Sequence, residues 1–266
     1  MRVGKFSLIW QHPGSIMKKH IVAGLGEIGG PILKLISRHC MAAGYDTDPK
    51  QSESDKLDMY KNQRTETLHV CIPYYRFGAR VSALIKKFEP EMVVIHSTIP
   101  PSTTARLQKR MSIPVMYSPT RGVHGRMIKD IQRYTKYFSL EKNAPRYRWA
   151  ALTFTKLMKK CNVKTERMSS PITLELAKIV VDTSYYGWLI NYAQISKMIA
   201  DKHGVDYNEM WKFSDEIHRY LGNRPKMFPG FIGGHCVIPN LELVDEEQLY
   251  SIDRINNIFA NSKHSA

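Results

Sequence analysis

A chain of 266 residues, 43% of them hydrophobic, is long enough to bury a sizeable core, as one large domain with a smaller companion or as two modest ones. Its formal net charge of +15 invites a nucleic-acid partner. The basic residues are spread along the chain, however, with no helix-turn-helix, zinc-finger or aromatic RNA-binding signature, which favours attraction of a small anionic substrate over nucleic acid. No apolar run approaches bilayer length and the first residues carry no signal-peptide pattern, so the expected setting is the cytoplasm, with no membrane partner. Four cysteines, at 40, 71, 161 and 236, match no metal-ligand spacing and read as reduced thiols, with no metal site expected.

Residues 1–16 precede Met17-Lys18-Lys19-His20-Ile21-Val22, which reads like a natural start, so initiation at Met17 is expected. The apolar run His20–Ala23 then leads into Gly24-Leu25-Gly26-Glu27-Ile28-Gly29-Gly30, and Ile32 to Ile36 has helical spacing. Strand, tight turn and helix are followed by a return through Ala43-Gly44-Tyr45 to Asp46, about twenty residues beyond Gly24, where a dinucleotide-binding βαβ unit places the acid that holds the adenosine ribose. A carboxylate there accepts from two ribose hydroxyls and repels a 2′-phosphate, favouring NAD over NADP. Asp48 stands close enough in sequence to share the role. Gly24, Gly26, Glu27, Ile28 and Gly29 are the loop candidates for the cofactor.

Further on, Leu68–Pro73, Met92–Thr98 and Val115–Pro119 read as short strands, with a helix from Arg76 to Phe88 between the first two. Tyr137–Leu140 and Val163–Arg167 read as late strands flanking a helix from Ala144 to Lys160. Alternation of this kind predicts an α/β fold, a Rossmann-type doubly wound parallel sheet ending near residue 168, with functional loops at the strand carboxyl ends. Those ends carry Pro73, Ser97, Thr98 and Ser118. Cys40 and Cys71 are expected in a helix and a strand of the core.

After Pro171 the pattern becomes one long helix to about His203, with Leu174, Ala177, Val181, Ser184, Trp188, Ile195 and Ile199 near helical spacing. Such a helix spans domains or builds a dimer interface, and Tyr185, Tyr186 and Trp188 are expected to pack around it. Lys178 and Asp182 meet on one side, where spacing alone describes an ordinary surface ion pair. Pro229 to Cys236 is a glycine-dense loop ending in a thiol, which suits a covalent nucleophile if the thiolate is stabilised. The expected divisions are an extension at 1–16, an NAD-binding domain at 17–168, a long-helix all-α domain at 169–245 and a tail at 246–266 with room for one helix.

Taken in order, the glycine fingerprint, Ser97-Thr98-Ile99-Pro100-Pro101-Ser102-Thr103-Thr104, Ser118-Pro119-Thr120-Arg121, Glu175-Leu176-Ala177-Lys178 and Gly233-Gly234-His235-Cys236 resemble the UDP-glucose/GDP-mannose dehydrogenase family, from about residue 18 to 245. The resemblance implies oxidation of a nucleotide-sugar alcohol to a carboxylate with two NAD in succession, by a homodimer. It implies a thiohemiacetal and then a thioester on Cys236, oxyanion stabilisation by Lys178, positioning by Thr98, and substrate contacts from Thr120, Arg121, Lys178, Gly233 and Gly234. Arg121, His124 and Arg126 are candidate phosphate or carboxylate contacts.

The chain departs from that pattern. Asp182 stands where the family has asparagine, Asn240 where it has the aspartate that helps activate the hydrolytic water, and Thr120 where it has glutamate. Asparagine cannot act as a general base and threonine is a poor one, so the hydrolytic step lacks its expected groups. Asp182 and Asn240 would be a compensating exchange if they face each other. Family members also continue past the cysteine loop into a second α/β domain that binds the substrate nucleotide. Two alternatives stay open: a one-step dehydrogenase of the 3-hydroxyacid and 6-phosphogluconate type, against which a thiol adduct site argues, and a non-catalytic protein that binds NAD or a sugar nucleotide.

Overall fold

The structure is a computed structural model that describes residues 18–221, 229–234, 237–243 and 247–262. The expected start at Met17, His235 and the candidate nucleophile Cys236 lie outside the described residues.

Seven strands form one sheet in the order β2-β1-β3-β4-β5-β6-β7. They are β1 (Lys18–Ala23), β2 (Ala42–Tyr45), β3 (Arg64–Val70), β4 (Met92–Ile95), β5 (Val115–Tyr117), β6 (Lys136–Leu140) and β7 (Thr165–Arg167). Apolar β-branched runs such as Met92–Ile95, buried on both faces, are what a covered parallel sheet demands. The strand order reverses between β1 and β3, so a crevice opens outside their carboxyl ends, the usual ligand position in such sheets.

Helices cover both faces. Helices α1 (Gly29–Ile36), α5 (Met127–Arg133) and α6 (Tyr147–Lys160) bury Ile32, Ile36, Ile131, Phe154 and Leu157 against Val22, Val94 and Met116. On the other face, α3 (Phe77–Phe88), α4 (Thr103–Gln108) and α7 (Pro171–Leu176) pack Phe77, Val81, Leu107 and Leu174 on Ile21, Leu68 and Ile95. A short α2 (Ser54–Met59) follows β2.

Two features of the sheet differ from the sequence expectation. β6 runs antiparallel to β5, because the connection through residues 118–135 stays at one end of the sheet instead of crossing it. That return brings Lys136, the first residue of β6, back beside Ser118, just past the end of β5. Cys40 and Cys71 are also only partly buried, in the turn after α1 and immediately after β3; both pack against the core edge. With Cys161 they are free thiols.

The long helix is present and composite. α7 runs directly into a π-helical segment, Ala177–Ser184, and then into α8 (Tyr185–Lys202). Its buried residues are small and polar and lie on two sides: Gly187, Asn191 and Gln194 meet α11 (Glu247–Ser262), while Ser196, with Ala193 and Ala200 on the same side, accepts from Trp211 Nε1 in the helix that follows. Apolar residues named from the helical pattern are instead open, with Val181 69%, Tyr185 53%, Tyr186 50%, Trp188 40% and Ile199 51% exposed, as is Tyr192 at 63%. Gly187 permits the close approach of α11, since a Cβ there would stand 3.0 Å from Val237 and 3.1 Å from Ile252. Between α8 and α11 come α9 (Tyr207–Leu221) and α10 (Ile238–Leu241). No described helix is long and apolar enough to cross a membrane.

Glu175 ties this helical region to the sheet. It is fully buried and its carboxylate accepts from the Ser102 and Thr104 amides at 2.6 and 2.9 Å and from Thr104 Oγ1 at 2.7 Å, capping α4. Replacing Glu175 with alanine strands these donors in an apolar setting, so a loss of roughly 3 kcal/mol is expected, with a thermal midpoint lower by about 10 °C in calorimetry. Glu175→Gln, which keeps an acceptor, should fall between the two.

Candidate functional site

The glycine loop joins β1 to α1 at the switch point. Gly24 has φ of +86° and donates its N–H to the Tyr45 carbonyl at 2.9 Å. A Cβ on Gly24 would lie 2.5 Å from the Cys71 carbonyl oxygen, and one on Gly29 only 1.6 Å from the Gly24 carbonyl oxygen. At Gly26 the same atom would meet nothing within 4 Å. Two glycines are therefore required by the turn and the packing, while the third leaves bare backbone facing open space, as approach of a pyrophosphate requires.

Asp46, just past β2, reaches that loop. Its carboxylate accepts from Leu25 N at 2.7 Å and from Asp48 N at 3.0 Å. Burial opposes its ionisation, but these amides, with Thr47, hold the carboxyl below the ordinary aspartate value. Asp48 instead accepts from Lys50 N at 3.0 Å and Gln51 Nε2 at 3.2 Å, closing its own turn. Glu27 Oε1 lies 2.9 Å from His124 Nδ1, linking the glycine loop to the turn after β5. Spacing in the chain gives no hint of that pairing.

The carboxyl ends of β3 and β4 supply the next group. Pro73 is exposed, Ser97 Oγ donates to the Ile72 carbonyl at 2.7 Å, and Thr98 is half-buried beside it. Thr120 N donates to the His96 carbonyl at 3.4 Å, which sets the Ser118–Arg121 loop against the end of β4.

The residue that sequence reasoning missed is Lys136. It is buried, and Nζ donates to the Ser118 and Pro119 carbonyls at 3.0 and 3.1 Å and to Thr120 Oγ1 at 3.2 Å. Burial lowers its pKa to about 7; Cys71 acts the other way, while the positive charges of Arg121 and Lys178 push it further down. Burial likewise pushes the Cys71 thiol up to about 12. A buried histidine pair shares the Ser118 carbonyl: His96 Nδ1 lies 2.9 Å from it, and His96 Nε2 lies 3.0 Å from His69 Nδ1. A carbonyl only accepts, so the proton is on His96 Nδ1, and burial keeps both rings neutral. His69 must then donate from Nδ1, leaving its Nε2 bare and without a partner among the described residues.

Arg121 Nη2 donates to the Thr135 carbonyl at 2.7 Å, with the guanidinium 5.2 Å from the Tyr137 ring centre. Arg126 pairs with buried Asp130 at 3.0 Å. The turn that bears His124 and Arg126 is thus tied internally and to Glu27.

Lys178 lies on the π-helical segment, one turn after Glu175, with Nζ 2.6 Å from Asp182 Oδ2. The widened turn is supported from within, since Thr183 Oγ1 donates to the Lys178 carbonyl at 3.1 Å and Ser184 Oγ to the Ile179 carbonyl at 2.6 Å. Segments of this type recur at functional sites. Asn240, in α10, lies on an element packed against the same segment. The glycine loop before Cys236 is held by residues outside any motif: Gln194 Nε2 donates to the Gly230 carbonyl at 2.7 Å, and Asn256 bonds both the N–H and the carbonyl of Ile232 at 2.7 and 3.2 Å. Beyond them Gly233 and Gly234 are exposed, the latter with φ of +74°.

No family model matches the sequence, and no curated protein matches it. Solved structures do match. A UDP-D-ManNAc dehydrogenase from Pyrococcus horikoshii superposes with a TM-score of 0.73 at 19% identity, covering 91% of this chain and 68% of its own. The UDP-N-acetyl-mannosamine dehydrogenase Cap5O from Staphylococcus aureus gives 0.65 at 17% identity over the same shares. A UDP-glucose dehydrogenase from Pyrobaculum islandicum gives 0.66 at 17% identity, over 94% of this chain and 70% of that one. The fold is therefore that of the nucleotide-sugar dehydrogenases.

The depressed Lys136 predicts a pH dependence. Between about 7 and the unperturbed 10.5 the unfolded chain holds a proton that the native lysine has released, so this group makes stability rise with pH; below about 7 both states hold it and the contribution is flat. Cys71 acts in the opposite sense once ordinary thiols ionise above about 8.5. From pH 7 to 8.5, urea unfolding should show the wild type gaining on the order of 1–2 kcal/mol relative to Lys136→Met. Parallel profiles would contradict the shifted titration.

Proposed function

We propose that this protein is an NAD-dependent oxidoreductase that converts the primary alcohol of a nucleotide sugar to a carboxylate. The observation that carries the reading is the bare backbone at Gly26, flanked by two sterically required glycines and faced by the amide-held carboxylate of Asp46. The likeness in fold to dehydrogenases of UDP-sugars supports the substrate class.

In this reading the amides of Gly26, Glu27 and Ile28 approach the pyrophosphate and Asp46 takes the adenosine ribose hydroxyls, with Asp48 closing the turn behind it. Pro73, Ser97 and Thr98 border the nicotinamide end. Bound NAD supplies the hydride acceptor, once for the alcohol and once more for the adduct of the aldehyde. Cys236 adds to the aldehyde carbon through sulfur to give a thiohemiacetal, whose oxidation leaves a thioester for water to cleave. Lys178 places positive charge where oxygen becomes negative at each tetrahedral stage, and Asp182 keeps its ammonium oriented. Gly233 and Gly234 let the substrate approach backbone without a Cβ between, and Thr120 and Arg121 border the sugar from the loop after β5. The mixed-charge surface, with its excess of lysine and arginine, draws the anionic substrate in.

The same reading makes the protein a homodimer through the exposed stripe Val181, Tyr185, Trp188, Tyr192 and Ile199, whose spacing of four, three, four and seven residues lies along one face of the long helix.

Two outcomes are expected. With NAD and a panel containing UDP-glucose and UDP-N-acetylmannosamine, the wild type should release two NADH per acid formed. Cys236→Ser should stop short of the acid, and Asp46→Ala should weaken NAD binding by roughly tenfold; no NADH with any sugar would overturn the assignment. Light scattering should give a dimer for the wild type and a monomer for the Val181→Glu, Tyr192→Glu double variant.

A further inference from the structure

The segment after β5 brings an imidazole to the glycine loop, and it is fastened along its whole length. Lys136 Nζ holds the Ser118 and Pro119 carbonyls and Thr120 Oγ1, and Arg121 Nη2 bonds the Thr135 carbonyl. Gly122 has φ of +149° and no room for a side chain, since a Cβ there would stand 2.8 Å from Asp130 Cβ. The buried Asp130 carboxylate accepts from Val123 N at 2.9 Å and from Arg126 Nε at 3.0 Å, closing the turn that presents His124. α5, which carries Asp130, packs against α1, the helix that starts at the glycine loop. Residues 118–126 are therefore an arm of fixed shape, anchored at one end on a buried lysine and reaching the glycine loop near the other.

At that end His124 Nδ1 lies 2.9 Å from Glu27 Oε1. An ionised carboxylate only accepts, so Nδ1 carries the proton. Glu27 directly follows Gly26, whose backbone faces open space, and stands two residues ahead of Gly29, where α1 begins. An acid here is an anion beside the amides that suit a diphosphate. Left to move, it competes for those amides and repels a second anion. The arm opposes this by fixing the carboxylate from outside the loop.

We infer that His124 is a positioning residue for the cofactor, acting through Glu27: it keeps the Glu27 carboxylate off the amides that receive the dinucleotide's diphosphate. The inference rests on the NAD binding proposed above. It goes further in making a residue of the loop after β5 a determinant of cofactor affinity, by restraint of an acid that opposes binding. An ordinary surface pair, by contrast, is worth little and leaves a ligand's affinity unchanged. Both side chains are partly open to solvent, so the repulsion that His124 holds in check is one that salt screens.

The test is calorimetric titration of the full chain with NAD at low ionic strength, with circular dichroism melting to show that each variant is folded. His124→Phe, which removes the donor, should weaken NAD binding by about tenfold. Glu27→Gln should bind at least as tightly as the wild type, and adding Glu27→Gln to His124→Phe should restore affinity to within about threefold of it. His124→Gln, which keeps a donor, should fall between wild type and His124→Phe. In about 1 M salt the loss in His124→Phe should shrink to roughly twofold. Binding by His124→Phe within twofold of wild type at low salt would overturn the inference. A double variant as weak as His124→Phe would place His124 on the cofactor itself and overturn its action through Glu27, and so would a tenfold loss that persists at high salt. Absence of NAD binding to the wild type would overturn the proposed function, and this inference with it.

Discussion

The position of one buried carboxylate governs how the helical region meets the sheet. Glu175 leaves α7 pointing into the protein and is bonded by the backbone of Ser102 and Thr104, the segment that begins at Thr98. A carboxylate with no exposed surface is tolerated only when donors surround it, and burial still raises its pKa despite them. Because those donors belong to the loop after β4 and to the first turn of α4, the helix cannot slide along the sheet without breaking them. Lys178, one turn further on, inherits that position. The side chain that sets the geometry is thus three residues away from the lysine proposed to stabilise the oxyanion.

Much of the sheet was legible in the sequence, since parallel strands buried on both faces must be short apolar runs and their crossovers must be amphipathic. Asp46 was equally legible, because the distance from the glycine loop to the acid follows from the dimensions of a βαβ unit. The antiparallel β6 was not, because strand direction depends on whether residues 118–135 cross the sheet, and no residue pattern within Lys136–Leu140 records that. Lys136 was hidden for the same reason: it read as one more of the basic residues spread along the chain, and only the return of the chain beside Ser118 buries it. Gln194 and Asn256 escaped notice because they are separated by about sixty residues and support the Gly230–Ile232 loop through hydrogen bonds that no periodicity announces. The tyrosines of the long helix misled in the opposite direction. Their spacing correctly marks one face, but the core took the small, polar face, because α11 approaches closely only where side chains are short.

The electrostatics of the site give Asp182 a reason. Arg121 and Lys178 both act on Lys136 through the interior, and like charges in such a setting are costly. Two adjustments relieve that cost. Lys136, with little exposed surface, approaches neutrality, whereas Lys178 keeps a carboxylate at 2.6 Å on its own helix. The asparagine that the resemblance leads one to expect at position 182 would serve a site with fewer cations, where lysine charge can be left uncompensated. Asp182 holds the Lys178 ammonium, and the π-helical turn that carries both is held open by the Thr183 and Ser184 hydroxyls on the carbonyls five residues before them.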